Sequence, residues 1–90
     1  MRRFAKLFET KEHGQIVVLR TVNDKEKPCV NIMFELQDGV IVTTTFDYDD
    51  TEDGFNKTIK LFELIGQENA VQHVNAIKEK YSIIPVEADE

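Results

Sequence analysis

The chain has a single cysteine, no tryptophan, two prolines and four dispersed glycines among its 90 residues. One cysteine excludes an internal disulfide, so the core has to hold the fold together. Dispersed glycines exclude a glycine-rich phosphate loop. No apolar run is long enough for a secretion signal or a membrane span. These absences predict a cytoplasmic protein that does not associate with membranes.

Basic residues are also in short supply, since 11 Lys and Arg stand against 17 Asp and Glu, for a net charge of -6. That charge repels a phosphate backbone, and we therefore expect no direct binding of nucleic acid. The length predicts one domain over residues 1–90, ordered over about 3–86 and followed by an acidic tail at 87–90.

Alternation of apolar and polar residues in the first half of the chain predicts four strands, at 4–9, 15–22, 29–36 and 40–48. The second strand is apolar on both faces, which is typical of a central strand or of one covered on its second face. Matching the inward residues of the last two strands places Leu36 opposite Val40 and Phe34 opposite Val42. That register predicts a three-residue turn that ends with Gly39 in the left-handed conformation.

Apolar residues at helical spacing in the second half predict two amphipathic helices, at about 51–65 and 70–81. Asp49 or Asp50 is expected to cap the first helix, and Asn69 the second. Gly66 fits the position after a helix where φ is positive. Residues 82–86 suit a short closing strand or a tail lying on the core.

The order of the elements, four strands and then two helices, is typical of an α+β fold. We expect a four-stranded antiparallel meander followed by two amphipathic helices packed on one face of the sheet, with the other face open.

The strand-to-helix junction, FDYDDTEDG at 46–54, is the most acidic stretch of the chain. Asp49, Thr51, Asp53 and Gly54 match the first half of an EF-hand loop, but Lys60 stands where that loop needs a bidentate Glu. We therefore expect no metal and no cofactor. Carboxylates at the start of a helix also stabilise the positive end of its dipole.

A catalytic interpretation finds little support in the residue pattern. Cys29, His13 and His73 lack the spacing of a zinc site, and neither His is positioned by the pattern to activate the thiol. General acid–base chemistry needs a carboxyl group in a dry cleft, whereas the junction carboxylates sit at a solvent-facing helix start. The sequence predicts a protein that is not an enzyme.

Candidate partner-binding residues are of two kinds. The first kind is acidic residues of the junction, which carry more negative charge than helix capping needs. The second kind is apolar residues expected on polar surfaces, namely Met33 on the open sheet face and Leu64 on the first helix. The acidic candidates are Asp47, Asp49, Asp50, Glu52 and Asp53.

The segment FETKEHGQIVVLRTVNDKEKP, together with FDYDDTEDGF and the helix that follows, resembles small uncharacterised proteins of tailed phages and prophages over residues 4–81. The resemblance implies a bacterial host cytoplasm and binding to a host protein. The leading hypothesis is an interaction module whose acidic surface meets a basic patch on a partner protein. The alternatives are a structural homodimer, formed through the open face or an edge strand, and a DNA-mimicking inhibitor of a nucleic-acid-binding protein.

Overall fold

A computed structural model describes residues 4–81. The elements are β1 (Phe4–Thr10), β2 (Gly14–Val22), β3 (Pro28–Gln37), β4 (Val40–Asp47), α1 (Glu52–Leu64) and α2 (Gln67–Tyr81). The strands form one antiparallel sheet in the order β1-β2-β3-β4. The predicted α+β meander followed by two helices is confirmed. The segment 82–86 and the tail 87–90 lie outside the described residues.

The core lies between one face of the sheet and the two helices. Alternate residues of β2 and β3 point toward the helices, and α2 adds Ala70 and Val74, both with no exposed surface. The buried apolar cluster consists of Ile16, Val18, Val30, Ile32, Phe34, Ile65, Ala70 and Val74. Every second residue of the strands and the residues on one face of α1 and α2 therefore meet in one apolar layer.

The second apolar side of β2 lies on the face away from the helices. Ile16 and Val18 are buried beneath the helices, whereas Val17 and Leu19 are half-buried on the opposite side. We call that opposite side of the sheet the open face. β2 is thus a central strand, flanked by β1 and β3, and its open-face residues have no helix over them within residues 4–81.

The β3–β4 hairpin confirms most of the predicted register and corrects its end. Phe34 is opposite Val42, and Gly39 has φ 76° as expected. The predicted Leu36–Val40 pair and the three-residue turn are wrong, because Val40 pairs with Gln37, only Asp38 and Gly39 connect the strands, and Leu36 is the extra residue of a β-bulge. The bulge leaves Leu36 packed against the core while the strand extends by one residue.

Both predicted helix caps are wrong. Thr51, not Asp49 or Asp50, caps α1, and its Oγ1 accepts a hydrogen bond of 3.0 Å from the backbone N–H of Gly54. α2 begins three residues earlier than expected. Asn69 is its third residue, and its Oδ1 accepts a hydrogen bond of 2.9 Å from the N–H of Gly66. The hydroxyl of Thr51 and the side-chain oxygen of Asn69 thus satisfy free backbone N–H groups at the starts of α1 and α2.

Gly66 connects the two helices without a positive φ, contrary to the prediction. α1 ends at Leu64, and Ile65 is extended, with φ -76° and ψ 107°. The positive-φ glycines are Gly14 and Gly39. The carbonyl of Gly66 accepts a hydrogen bond of 3.0 Å from the backbone N–H of Ala70, so Gly66 is the N-cap residue of α2.

Candidate functional site

Two loops meet at one end of the sheet. Residues 23–27 connect β2 to β3, and residues 48–51 connect β4 to α1. The backbone N–H of Tyr48 donates to the carbonyl of Pro28 at 2.9 Å, and Asn23 Nδ2 donates to Asp47 Oδ1 at 2.9 Å. We call this end the acidic end. Its exposed carboxylates are Asp24, Glu26, Asp47, Asp49, Asp50, Glu52 and Asp53.

Asn23 holds the first of these loops in a defined shape. Its Oδ1 accepts hydrogen bonds from the backbone N–H groups of Lys25 (2.8 Å) and Lys27 (3.0 Å), while its own backbone carbonyl accepts one from Glu26. Glu26 sits in the left-handed region at φ 61°. The loop is therefore closed by several hydrogen bonds, which place Asp24 and Glu26 on a fixed backbone.

The acidic end has more negative than positive charge at its surface. Its exposed bases are Lys25, Lys27 and Lys57, against seven carboxylates. Lys57 Nζ lies 3.1 Å from Asp53 Oδ2, one turn away on α1, with both side chains largely in water. Such exposed pairs contribute only about 0.3–0.5 kcal/mol. Among the residues that the structure describes, the other six carboxylates form no ion pair.

The carboxylates of the acidic end are spread around it and do not converge on a single point. Glu26 and Asp50 line one shallow cleft together with Phe55, whereas Asp24 and Asp47 line another beside Asn31. Within residues 4–81, no three His, Cys, Asp or Glu side chains come together in a way that could hold a metal ion. The arrangement is a broad negative surface.

The cysteine and the histidines occupy three separate places. Cys29 is buried on the open face, where burial and then the carboxylate of Asp47 raise the pKa of its thiol. His73 Nε2 lies 2.9 Å from Thr44 Oγ1 on the helix side, and burial lowers the pKa of its imidazole. His13 Nε2 lies 2.8 Å from Asn75 Oδ1. A thiol with a raised pKa is a poor nucleophile at neutral pH.

The open face carries more apolar side chains than the sequence interpretation assigned to it. Met33 lies beside Val17, and Val17 lies beside Leu7, so the three form a row across β3, β2 and β1. Leu7 is 54% exposed, and Ile41 on β4 is 61% exposed. The alternation in β1 and β2 indicates which face of its own strand each of these residues occupies. Only the strand order shows that they share a surface with Met33.

The predicted partner-binding residues fall in three places. The acidic residues from Asp47 to Asp53 are all at the acidic end, and Asp47 also borders the open face. Met33 lies within the open face. Leu64 is 72% exposed at the far end of α1, apart from both surfaces. The structure thus brings the five acidic candidates together and adds Asp24 and Glu26 to them, while Leu64 stands alone.

Two cations that face the helices, the buried Arg20 and the half-buried Lys6, were missed by the sequence interpretation. The guanidinium carbon of Arg20 lies 4.3 Å from the centre of the Phe4 ring and 5.5 Å from that of Phe55, and the residue is 9% exposed. The ammonium of Lys6 lies over the ring of Phe62 and donates to the carbonyls of Phe62 and Ile65 at the end of α1. Cation–π contacts and helix carbonyls explain why charged residues occupy inward positions.

Comparison of the chain with protein-family models, with curated proteins and with solved structures finds no match. Neither α1 nor α2, the helices of the described part, combines the length and the apolar character that crossing a membrane requires.

Proposed function

We propose that this protein is a non-enzymatic interaction module that binds a basic patch on a partner protein through its acidic end. One observation supports the proposal above the others: two loops that are separate in sequence, together with the end of β4 and the first turn of α1, place seven exposed carboxylates at the same end of the sheet. Helix capping accounts for only part of this charge, because Thr51 is the cap and only Glu52 and Asp53 lie in the first turn of α1.

The fixed backbone of both loops favours binding. Asn23 closes one loop, and Thr51 orders the start of α1 after the other. Charges held on an ordered backbone lose less conformational entropy on association than charges on a mobile tail. A concentrated negative surface also accelerates and orients encounter with a basic partner, and this effect weakens as salt is added. The phage resemblance makes a bacterial host protein the expected partner.

The test compares two charge-reversed variants of equal net charge. Partners captured from a bacterial lysate by the wild type are purified, and their association rates are measured at low and high salt. We expect Asp49→Lys, Asp50→Lys and Asp53→Lys together to slow association at low salt by about tenfold or more and to flatten its salt dependence. The matched control reverses Glu12, Glu63 and Glu68, which are exposed elsewhere. Equal association rates for the two variants would refute the proposal.

A DNA-mimicking inhibitor would use the same carboxylates in place of phosphates. Adding duplex DNA to the purified complex separates this alternative from the main proposal. Displacement of the protein by DNA at constant ionic strength would indicate that the partner normally binds nucleic acid, whereas a basic patch unrelated to nucleic acid would leave the complex intact.

A further inference from the structure

The open face has a charge pattern of its own, which shares only Asp47 with the acidic end. Its strand positions within residues 4–81 include three carboxylates, those of Glu9, Glu35 and Asp47, and no Lys or Arg. Each carboxylate is oriented by a neutral donor: Gln15 for Glu9 at 3.5 Å, the N–H of Gly39 for Glu35 at 2.9 Å, and Asn23 for Asp47 at 2.9 Å. The three side chains are thus positioned, and none is neutralised by a cation among the described residues.

Apolar side chains occupy the space between these carboxylates. The row of Leu7, Val17 and Met33 crosses three strands, and Leu19 and Ile41 lie on the adjoining rows. A shallow cleft of about 450 Å³ runs along part of this surface and is lined by Val17, Met33, Glu35 and Ile41 among others. An apolar centre with polar groups around it is the usual composition of a protein-binding surface.

We infer that the open face docks a partner polypeptide whose apolar strip is flanked by lysine or arginine side chains. The apolar centre of the face accommodates side chains such as leucine. The carboxylates of Glu9, Glu35 and Asp47 around it favour lysine or arginine on either side of that strip. The inference goes beyond the proposed function, since it concerns a second surface that shares only Asp47 with the acidic end.

The same observations disfavour a second copy of this chain as the occupant. Two open faces would bring together six carboxylates without a compensating base, on molecules that each carry a net charge of -6. Strands about 4.8 Å apart with residues about 3.3 Å apart make this face roughly 400 Å² in plan, about half of the ~800 Å² per partner typical of a stable interface. A surface of this size suits a transient complex.

The test uses defined peptides and the full-length protein with labelled methyl groups, observed by NMR. We expect a peptide of alternating leucine and lysine to shift the methyl signals of Leu7, Val17, Met33 and Ile41 in a saturable manner. A leucine–glutamate peptide of the same length should leave them unshifted. Oligolysine, which has charge but no apolar strip, should leave the methyl signals at the centre of the open face unshifted even where it binds the acidic end, so failure at one surface is distinguishable from failure at the other.

Two exposed aliphatic residues provide a matched pair of variants. Ile41→Lys puts a cation and no apolar group on the open face, and we expect it to weaken binding of the leucine–lysine peptide about tenfold or more. Leu64→Lys makes the same change on α1, at a residue of similar exposure, and should have no effect. Thermal melting verifies that both variants are folded.

Three results would overturn the inference. The first is equal binding of the glutamate peptide, which would remove charge as the basis of selection. The second is an equal loss of binding in Ile41→Lys and Leu64→Lys. The third is concentration-dependent dimerisation by light scattering that Ile41→Lys abolishes, because the occupant of the face would then be a second copy.

Discussion

Gly54 is required by a close approach of two backbone segments at the acidic end. It is the third residue of α1, and a Cβ built there would lie 2.0 Å from the carbonyl oxygen of Asp49. No positive φ is involved. We expect Gly54→Ala to lower the free energy of unfolding by at least about 2 kcal/mol, since the backbone of residues 49–54 has to move to relieve the overlap. Urea denaturation measures the loss.

Gly66→Ala is the control for that substitution. A Cβ at Gly66 would meet only Asn69 Oδ1, at an ordinary 3.6 Å, so we expect a loss below about 1 kcal/mol from the change of capping residue. Similar losses for the two variants would contradict the steric explanation at Gly54.

His73 should make the protein less stable as the pH falls. Burial lowers the pKa of this imidazole in the folded chain, next to Thr44 and Phe46. The unfolded chain, with an ordinary histidine pKa near 6.5, therefore binds the proton more readily. Stability attributed to His73 is complete above that pH and decreases as the pH falls below it. The imidazole pKa can be read directly by NMR titration.

His73→Gln should remove this part of the pH dependence while keeping a polar group near Thr44. Denaturation at pH 7 and pH 5 compares the two proteins, and the wild type should lose more stability between these values. An NMR pKa for His73 at or above the ordinary value would disprove the assignment.

At the scale of elements, Lys6 links the edge strand β1 to the end of α1. Its ammonium donates to the carbonyls of Phe62 and Ile65, where the helix dipole is negative and the last turn of α1 has no basic residue. We expect Lys6→Met to cost about 1.5–3 kcal/mol, the range for hydrogen bonds to a charged group, because two carbonyls lose their donor. Lys60→Met, at an exposed site on the same helix, should change stability by less than about 0.5 kcal/mol. Losses of equal size would show that the link is unimportant.

The elements that the sequence predicted well are those whose pattern is set by a single buried face. Alternation in β3 and β4 identified the strands and most of their register, and the helical stripe identified α1. The errors lie at helix ends. Thr51 competes there with two neighbouring aspartates as the capping residue, and Asn69 has the right side chain for either of two capping positions. Local propensity cannot choose between such alternatives, because the packing of each helix against the sheet decides at which residue the helix begins.

At the scale of the whole molecule, the candidate surfaces depend on contacts between distant parts of the chain. The acidic junction was visible in the sequence, but Asp24 and Glu26 join it only because β2 and β3 place their loop beside Pro28 and Tyr48. Leu7 likewise joins Met33 only because β1 pairs with β2. A one-dimensional pattern shows which face of its own strand a residue occupies, and the order of the strands determines which residues become neighbours.

The same clustering of charge predicts an effect of salt on stability. Seven carboxylates at one end of a molecule with a net charge of -6 repel one another in the folded state. Raising the ionic strength from about 0.01 M to about 1 M shortens the screening length from ~30 Å to ~3 Å, so it should raise the melting temperature. Sodium chloride is suitable for the measurement, because it screens charge without the strong exclusion effect of sulfate.

Neutral variants locate the repulsion. Asp24→Asn, Glu26→Gln and Asp50→Asn together remove three charges from the acidic end without disturbing Thr51 or the first turn of α1, so they should raise the melting temperature at low salt and reduce its increase with salt. The matched control neutralises Glu12, Asp38 and Glu63, which are exposed away from this end. Both triple variants have the same net charge. A larger change of melting temperature in the first variant would therefore show that the local crowding of charge, and not the total charge, lowers the stability. Equal effects would mean that the carboxylates of the acidic end repel one another no more than charges elsewhere on the molecule.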